Sequence, residues 1–380
     1  MYEDFIKLVR DIYRTDENIP LHQPHLKGKE LEYLKDCIDT NYVSSVGKYV
    51  DLFEERLASY TNIDYAIATV NGTAALHTAL KLAGVNNGDA VITQSLSFVA
   101  TTNAILYCEA NPIFLDIDIN TLGLSHDSLE YFLETSCELR NDGYCWDKKN
   151  NRIIRACLPM HTFGFPVEID KIKLLTKKYN IVLIEDAAEA LGSFYKDQHI
   201  GIVGDIAVLS FNGNKIITTG GGGMVLTNDA DIAHRAKHIT TTAKIKHKWK
   251  FEHDEVAYNY RLPNINAALG LSQLEQLDSF IKNKREIASL YQKWGFENGI
   301  EFFYEPKDSK SNYWLSVLLA KNKHERDMFL DYTNKNGIMT RPVWTPMHKL
   351  QMFEQFDNYD LRNTERLSEM IVNVPSSVNL

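Results

Sequence analysis

A repeating alternation of strand-like and helix-like segments between about residues 65 and 210 is the feature that most constrains the fold. Short apolar runs recur there, and each is followed by a stretch of different periodicity or by a loop. The strand-like runs are Tyr65–Val70, Ala90–Gln94, Asn111–Asp116, Ile153–Met160, Val182–Ile184 and Ile206–Leu209. This alternation predicts an α/β fold with a largely parallel sheet flanked by helices.

The length of 380 residues predicts a large and a smaller domain rather than a single core. We assign residues 15–265 to the large domain and residues 266–380 to a smaller α+β C-terminal domain. Residues 1–14 predict an amphipathic helix that packs on this body. The strands expected in the smaller domain are 311–320 and 338–345.

Three polar residues are predicted to cap helices, namely Thr73, Ser125 and Asn264. The helix after Asn264 is expected to be long and to join the two domains. Because a helix N-terminus offers free N–H groups and a positive dipole end, the turn Gly72–Ala74 is also a candidate phosphate site. Capping by Thr73 does not exclude anion binding there. The polar segment Cys137–Asn151 predicts a surface insertion.

Small and polar residues follow five of the predicted strands, in the stretches NGT, SFVAT, MHTFG, EDAAEA and SFNGNK. In open parallel sheets, ligands bind beside the carboxyl ends of the strands. The five stretches therefore predict one binding edge that gathers residues distant in the sequence.

Lys215 lies just past the apolar run Ile206–Leu209 and shortly before four glycines, Gly220–Gly223. A lysine amine partly removed from water loses proton affinity and becomes a nucleophile toward aldehydes. Consecutive glycines let the backbone approach a bulky group closely. The alternative from this stretch alone is a solvated lysine beside a flexible loop. The glycines lack the spacing of a dinucleotide-binding fingerprint.

Net charge and cysteine usage narrow the class of protein. A net charge of −9 argues against nucleic acid as the main partner, since phosphate binding needs a basic face. The cysteines show no CxxC pair and predict reduced thiols and a cytoplasmic location. They are Cys37, Cys108, Cys137, Cys145 and Cys157. We expect no signal peptide, and no membrane partner, because no apolar stretch approaches about 20 residues.

Two kinds of site are not indicated by the residues. The histidines lack HExxH or a comparable spacing, so no metal site is expected. The chain also has no GxSxG motif and no Ser–His–Asp order.

Two further segments each have two interpretations. The small residues around Ser45 and Val46 form either a substrate loop or a plain turn between helices. The basic cluster around Lys244, Lys246 and Lys248, which also includes Lys250, either pairs with a diphosphate or is a solvated loop.

The residues after the strands match the needs of a pyridoxal phosphate enzyme. Such an enzyme needs a lysine for the cofactor aldehyde and a carboxylate for the pyridine nitrogen. It also needs donors for the phosphate and flat or small groups against the ring. The candidates are Lys215, Asp186, the helix start at Thr73 with Ser210, and Phe98 with Ala188. Taken alone, Phe98 would more often be a core residue.

The chain resembles the DegT/DnrJ/StrS sugar aminotransferases from about residue 19 to the C-terminus. The motifs that carry the resemblance, in family order, are GTAALH, ITQSLSFVATTNAI, IEDAAEALGS, SFNGNKIITTGGGGMVLTND, YNYRLPNINAALGLSQL and TRPVWTPMH. Three further stretches look most like the branch of legionaminic acid and bacillosamine C4 aminotransferases. They are IPLHQPHLKGKE, NYVSSVGKYVDLFE and LPMHTFGFPVEID.

The resemblance implies a fold-type I homodimer with active sites at the subunit interface. It implies catalytic roles for Lys215, which would form the Schiff base, and for Asp186, the partner of the pyridine nitrogen. The implied cofactor-binding residues are Gly72, Thr73, Ala74, Phe98, Asp186, Ala188, Glu189, Ser210, Lys215 and Asn259. The implied substrate-binding residues are Ser45, Val46, His161, Lys244, Lys246, Lys248, Arg261 and His348. Asn259 would reach the phosphate in the neighbouring subunit.

The chain departs from the family pattern at two positions. Many members carry glutamate at the position of Gly221, and glutamine or histidine at that of Glu189. Relatives that act as dehydratases have histidine at the position of Lys215, so the lysine favours transamination.

The resemblance therefore implies amino transfer from L-glutamate to C4 of a nucleotide-linked 4-keto-6-deoxy sugar in bacterial surface glycan biosynthesis. The expected substrate is UDP-2-acetamido-4-keto-2,4,6-trideoxyhexose. Two alternatives are a lyase that uses the same cofactor for sugar dehydration and a non-enzymatic regulator that keeps the fold. Lys215 argues against the first, and the presence of both Lys215 and Asp186 argues against the second.

Overall fold

The computed structural model describes residues 2–380, so Met1 of the predicted N-terminal helix lies outside the described residues. The helices are α1 (Tyr2–Tyr13), α2 (Glu30–Asp39), α3 (Lys48–Thr61), α4 (Gly72–Leu82), α5 (Val99–Tyr107), α6 (His126–Ser136), α7 (Ile169–Lys178), α8 (Ala230–Thr240), α9 (Asn264–Leu274), α10 (Leu277–Asn298), α11 (Lys323–Lys335) and α12 (Arg362–Ser368). Short 3-10 turns cover Thr162–Gly164, Met347–Lys349 and Gln351–Phe353.

The strands alternate with these helices through the first part of the chain. They are β1 (Tyr65–Thr69), β2 (Ala90–Gln94), β3 (Asn111–Leu115), β4 (Cys137–Leu139), β5 (Cys145–Asp147), β6 (Arg152–Leu158), β7 (Val182–Asp186), β8 (Phe194–Tyr195), β9 (Gln198–His199), β10 (Ile206–Ser210), β11 (Gly223–Thr227), β12 (Glu301–Phe302), β13 (Ser309–Lys310), β14 (Ser316–Leu319), β15 (Arg341–Pro342) and β16 (Ile371–Val374). Each of the six predicted strand runs overlaps one of them.

The main sheet has the strand order β1-β11-β10-β7-β6-β2-β3. Strands β10, β7, β6, β2 and β3 pair in parallel, whereas β11 is antiparallel to both of its neighbours, β1 and β10. The prediction of a largely parallel sheet flanked by helices is confirmed. The geometry also brings the carboxyl ends of β1, β2, β6, β7 and β10 to one edge of the sheet.

The sheet is buried on both faces, as a parallel sheet with crossover helices requires. One face packs against α4, α5 and α8, through residues such as Ala75, Ile105 and Ala236. The other face packs against α3, α6, α7 and α9, through residues such as Phe53 and Leu129. The core strands β2, β10 and β11 are buried along their whole length.

Most residues of the segment Cys137–Asn151 are exposed, as a surface insertion requires, but the segment also has secondary structure that the sequence did not predict. It contains β4 and β5, an antiparallel hairpin that extends the main sheet through pairing of β5 with β6. Cys145 and Asp147 are fully buried. Asp147 accepts hydrogen bonds from Lys149 and Asn150, so its carboxylate shapes the turn rather than facing water. The polar composition of the turn had concealed the strands beside it.

The C-terminal part contains a separate antiparallel sheet with the order β12-β14-β16-β15. Strands β14 and β15 lie within the expected ranges 311–320 and 338–345, but they are shorter. Helix α1 packs here, where Phe5 contacts the rings of Trp294 and Phe329. The division of the chain at residues 265 and 266 stays a prediction, and that position falls inside α9.

Two of the three predicted helix caps are wrong. The N-cap of α4 is Asn71, whose Oδ1 accepts from the N–H of Ala74 at 2.7 Å, whereas Thr73 lies inside the helix. Asn264 is the first residue of α9, and its side chain instead bonds the backbone of Tyr42 and Tyr49. The expected long helix is divided into α9 and α10. The cap by Ser125 is confirmed.

The helices and the cysteines are the features that concern the location of the protein in the cell. None of the helices in residues 2–380 combines the length and the apolar character that crossing a bilayer requires. All five cysteines are buried and unpaired. The cytoplasmic location inferred from cysteine usage stays a prediction.

Candidate active site

Lys215 lies in the loop between β10 and β11, at the predicted binding edge. Its Nζ is 3.0 Å from Glu189 Oε1, and the exposed fractions of the two side chains are 11% and 1%. The same Nζ lies 4.1 Å from the ring centroid of Trp314. The backbone N–H of Lys215 donates to the carbonyl of Asn212 at 2.9 Å, and this hydrogen bond stabilises the loop. The amine is therefore nearly enclosed, as the nucleophile interpretation requires.

Asp186 ends β7 and is almost completely buried, with 2% of its surface exposed. Its Oδ2 accepts from the hydroxyl of Thr101 at 2.7 Å, and its Oδ1 accepts from the N–H of Ala188 at 3.1 Å. Burial raises the pKa of Asp186, and the Thr101 hydrogen bond opposes that rise. The carboxylate is held in one orientation by two donors and is suited to pair with a cationic ring nitrogen.

Glu189 faces Lys215 from the loop after β7. Burial raises its pKa, although the charge of Lys215 works in the opposite direction. Its Oε2 accepts from the backbone N–H of Phe163 at 2.8 Å. Phe163 has φ +58, in the left-handed region that a bulky residue rarely occupies. The backbone of Phe163 is thus held in a costly conformation that directs its N–H at Glu189.

The first turn of α4 approaches the end of β10 very closely. A Cβ on Gly72 would lie 2.9 Å from the Cβ of Ser210, and a Cβ on Gly223 would lie 2.6 Å from the carbonyl carbon of Asn71. Glycine at both positions allows this contact. The N–H groups of Gly72 and Thr73 in the first helical turn and the hydroxyl of Ser210 form a cradle of donors suited to a phosphate, whereas the N–H of Ala74 already donates to the cap, Asn71.

Phe98 borders the same edge at the start of α5, one turn before Thr101. It is 44% exposed, so the alternative of a core residue is not what the structure shows. Its ring makes an edge contact with Trp344 at 5.9 Å, and Trp344 in turn contacts Phe163 at 5.1 Å. Phe98 therefore begins an aromatic wall that continues inward toward Trp314.

His161 lies beside the predicted binding edge but points into the core, so its contact with substrate stays a prediction. The side chain is fully buried, and its Nδ1 accepts from the N–H of Val167 at 3.2 Å. Its Nε2 is therefore the protonated nitrogen and donates to Glu185 at 3.0 Å. Burial alone would raise the pKa of Glu185, but hydrogen bonds from His161 and from backbone N–H groups reverse the effect and lower it. His161 is a support for the neighbouring Asp186, whose carbonyl also accepts from the His161 N–H.

His348 approaches the edge from the C-terminal part of the chain. The distance between its Nδ1 and the hydroxyl of Ser95, just after β2, is 2.7 Å. Its Nε2 is buried and lies 3.4 Å from Glu365. Burial lowers the pKa of His348. The structure thus places His348 against a strand end of the site, and its contact with substrate stays a prediction.

A cavity of about 210 Å³ is lined by Ser45, Val46 and Arg261. The sequence had assigned all three to substrate binding. Arg261 Nε is buried and has no hydrogen-bond partner within residues 2–380. The cavity also includes Lys237 and Thr241. A guanidinium nitrogen without an acceptor, beside a cavity, is suited to bind an anionic group.

The predicted basic cluster forms an exposed hairpin next to this cavity. Lys244 bridges to His253 in an antiparallel pair, and Lys244, Lys246 and Lys248 are all exposed. Asn259, which pairs with Thr241 through the backbone, is exposed as well. We call residues 42–47 and 244–261 together the rim. No described contact joins the rim to Lys215.

Two site residues were missed by sequence reasoning. Thr101 donates to Asp186. The sequence could have indicated it, because Thr101 lies in the SFVATT motif, one turn into the helix after β2. Trp314 contacts Lys215 from a position 100 residues beyond Asn214, with no local pattern to mark it. Only the packing of the C-terminal part against the main sheet brings this ring to the lysine.

One group of side chains in residues 2–380 has the composition of a metal site, namely His238, Asp254 and Glu255. Arg235 forms an ion pair with both carboxylate oxygens of Glu255. The guanidinium therefore already neutralises one of the three ligands. The expectation of no bound metal stays a prediction.

These residues fit pyridoxal phosphate, the cofactor that the sequence resemblance implies. An amine, a buried carboxylate, a helix N-terminus with a hydroxyl, and an exposed aromatic ring all lie at one sheet edge. Glycine at positions 72 and 223 lets the start of α4 lie against the ends of β10 and β11, so the helix N–H groups lie beside the Ser210 hydroxyl. The donor set therefore matches an aldehyde, a ring nitrogen, a phosphate and a flat face.

Comparisons with known proteins agree with this geometry. A model of the DegT/DnrJ/EryC1/StrS aminotransferase family matches residues 24–380. The chain is 39% identical over 363 residues to the GDP-perosamine synthase of Escherichia coli O157:H7, covering 95% of this chain and 94% of that protein. It is 35% identical over 369 residues to the putative pyridoxal phosphate-dependent aminotransferase EpsN of Bacillus subtilis, covering 96% and 92%. The structure of Helicobacter pylori PseC, an aminotransferase involved in pseudoaminic acid biosynthesis, superposes with a TM-score of 0.85 at 25% identity, covering 94% of each chain.

Proposed function

Because the chain belongs to the DegT/DnrJ/EryC1/StrS aminotransferase family, whose cofactor is pyridoxal 5′-phosphate, we propose that it transfers the amino group of L-glutamate to C4 of a nucleotide-linked 4-keto-6-deoxy sugar. The observation that carries the proposal is the enclosed Lys215 between Glu189 and Trp314, close to the buried Asp186. A lysine at this position favours transamination over the dehydration expected where histidine replaces it.

The bound cofactor supplies an electron sink for the reacting carbon. Lys215 is the residue that would hold its aldehyde, and its Nζ would move the proton at the substrate carbon. Asp186 is placed to keep the ring nitrogen protonated, since Thr101 and Ala188 fix its carboxylate. The first turn of α4 and Ser210 would hold the phosphate, and Phe98 would cover the ring.

We propose two candidates for the nucleotide. The motifs in the sequence predict UDP-2-acetamido-4-keto-2,4,6-trideoxyhexose. A GDP-linked sugar is favoured by the relative named GDP-perosamine synthase, which is similar over almost the whole chain. Both substrates place a diphosphate beside the sugar, so both suit the exposed lysines and Arg261 of the rim.

The test is incubation of the enzyme with a panel of UDP-, GDP- and TDP-linked keto sugars and L-glutamate labelled with 15N. We expect one nucleotide sugar to exchange its carbonyl oxygen for the labelled amino group, with 2-oxoglutarate as the second product, measured by mass. Loss of water from the sugar without uptake of the label would identify a dehydratase instead. Cofactor-loaded enzyme that labels none of the sugars would contradict the proposal.

We also propose that the enzyme is a homodimer in which the rim of one subunit completes the site of the other. Large apolar side chains on the rim support this, because several are strongly exposed in the single chain. They are Tyr42 57%, Val46 63%, Trp249 74%, Phe251 81% and Val256 92%. Burying such a surface against a second copy would remove it from water.

A further inference from the structure

The indole of Trp314 forms one wall of the space around the Lys215 amine. Trp314 is 4% exposed and comes from the segment just before β14, in the C-terminal part of the chain. Its ring centroid lies 4.1 Å from Lys215 Nζ. Its Nε1 donates to the carbonyl of Asn214, the residue before the lysine, at 2.6 Å. The ring is thus anchored to the same loop whose lysine it faces.

A single buried side chain connects the backbone of Trp314 to the backbone of Glu189, the residue whose carboxylate also contacts Lys215. Asn312 is fully buried, and its Nδ2 donates to the carbonyls of Glu189 and Leu191, each at 2.9 Å. Its Oδ1 accepts from the N–H of Trp314 at 2.8 Å. Glu189 and Trp314 are therefore held at a set separation, with the lysine amine in contact with both.

Phe163 supports both sides of this arrangement. Its ring stacks on Trp314 with an interplanar angle of 30° and a centroid distance of 6.4 Å. Its backbone N–H donates to Glu189. A residue that accepts a left-handed backbone conformation to make these two contacts indicates that the positions of the ring and the carboxylate are closely constrained.

We propose that Trp314 is a positioning residue that, with Glu189, holds the amine of Lys215 when the lysine is released from the cofactor. A protonated amine is attracted to the face of an indole, and the attraction grows when water is excluded. In the first half of the reaction, the nitrogen of L-glutamate stays on the cofactor, water supplies the oxygen of 2-oxoglutarate, and Lys215 becomes free. The ring and the carboxylate stabilise that freed, protonated lysine.

The inference rests on the proposed role of Lys215 and predicts a shift in an equilibrium. Removing the ring face should disfavour the free lysine and so favour the form in which the lysine is bonded to cofactor. Holoenzyme is equilibrated with mixtures of L-glutamate and 2-oxoglutarate and reduced with borohydride. Mass spectrometry then gives the fraction of chains that carry cofactor. This readout needs no sugar nucleotide and no turnover.

Three side chains at position 314 separate the ring face from packing. Trp314→Phe keeps an aromatic face without the N–H, Trp314→Leu removes the face, and pentafluorophenylalanine keeps the shape of Phe but reverses the charge of the face. We expect the leucine and pentafluoro variants to need about tenfold more L-glutamate, relative to 2-oxoglutarate, for half-release of the lysine. The phenylalanine variant should shift by about threefold or less.

Trp294→Phe is the matched control, because Trp294 is also a buried tryptophan but packs against α1, away from Lys215. Its equilibrium should match that of the wild type, and thermal melting shows whether each variant is folded. If phenylalanine and pentafluorophenylalanine behave alike, the ring face has no role and the inference is wrong. If the wild type releases no lysine at any ratio, the proposed donor is wrong and another amino donor must be used before position 314 is compared.

Discussion

We define the lysine centre as Lys215, Asp186 and Glu189. It differs from the rim in the burial of its charged groups and in their hydrogen-bond partners. In the centre, each charged group is nearly buried and has hydrogen-bond donors or acceptors within the same chain. In the rim, Lys244 and Asn259 are exposed, and Arg261 Nε has no acceptor in residues 2–380.

This difference separates two kinds of function. A buried carboxylate or amine acts through a reactivity that its surroundings set, so the centre has to be built by one folded chain. Exposed cations and apolar rings act through contacts with something outside the chain. We therefore expect the centre to decide whether amino transfer occurs, and the rim to decide which sugar nucleotide binds and how subunits cooperate.

The largest effect is expected for Lys215→Ala, which removes the nucleophile of the centre. The variant should lose covalent attachment of the cofactor, its visible absorbance and turnover, whereas its folded structure should remain. Absorbance spectra and borohydride trapping measure the attachment. Turnover close to that of the wild type would show that Lys215 is not the cofactor lysine.

Asp186→Asn should have the next largest effect. The amide keeps the shape but cannot hold a cationic ring nitrogen by charge, so the electron sink weakens. Cofactor should still bind, while kcat falls about a hundredfold or more. Thr101→Val, which removes one donor to Asp186, is expected to give a smaller loss in the same direction. Unchanged kinetics in Asp186→Asn would leave Asp186 with a structural role only.

A hybrid dimer tests whether the rim acts across the subunit boundary. Lys215→Ala and Asn259→Asp homodimers should both be poorly active, the second because aspartate repels a phosphate that asparagine would bind. In a hybrid of the two chains, one site would carry both defects and the other neither, so activity should return to one site per dimer. Hybrids verified by mass that remain as inactive as the parents would show that Asn259 does not act across the interface.

The rim lysines are expected to affect binding rather than chemistry. Replacing Lys244, Lys246 and Lys248 by glutamine should raise KM for the sugar nucleotide several-fold, with little change in KM for L-glutamate or in kcat. The effect should be stronger at low salt, because exposed charges are screened as ionic strength rises. Charge removal at Lys323 and Lys335 on α11 is the control. Equal changes in both KM values would show that the lysines form a solvated loop and do not bind the diphosphate.

Lys284 is buried, in contrast to the exposed lysines of the rim. Its replacement is expected to have the smallest effect, on the pH dependence of stability rather than on activity. Burial lowers its pKa to about 7, and its ammonium donates to the carbonyl of Ser376. Below that pH, the folded protein holds a buried cation that the unfolded chain would hydrate. The stability of the wild type should therefore rise, relative to Lys284→Met, as pH increases from about 7 to the usual lysine range.

Denaturant unfolding at several pH values measures this difference, which changes by at most about 1.4 kcal/mol per pH unit for one proton. A gap between Lys284→Met and the wild type that is constant with pH would mean that Lys284 does not titrate in this range. Replacing an exposed lysine such as Lys335 should leave the pH dependence unchanged.

Local patterns in the chain were sufficient to predict the alternation of strands and helices and to single out Lys215 and Asp186 as candidates. The apolar run before Lys215 predicts a buried strand, and parallel strands bring their carboxyl ends together whatever the details of packing. For that reason Asp186, Ser210 and Lys215 were assigned before any distance was known, whereas Glu189 was assigned through the family resemblance. The hairpin of β4 and β5 was not predicted, because its turn is polar and each of its strands has only three residues.

The choice among competing partners for a polar side chain was made only by the tertiary structure. Asn264 has the sequence signature of a helix cap but bonds the loop before α3, and Asn71 caps α4 in place of Thr73. His161 follows a strand end, yet the side chain turns to Glu185 and becomes fully buried. A hydrogen bond of this kind depends on which groups packing brings within about 3 Å, and no local periodicity encodes that.

The sequence by itself therefore determined the fold class and singled out Lys215 and Asp186 as candidates, because strand periodicity and reactive residue types are local properties. The contact of Trp314 with the lysine came from the tertiary structure alone. Trp314 reaches Lys215 from the C-terminal part of the chain, and Asn312 joins the backbone of Trp314 to that of Glu189. Such contacts arise only when the C-terminal part of the chain packs against the main sheet, and their energy depends on excluded water and on distances that only the packed chain provides.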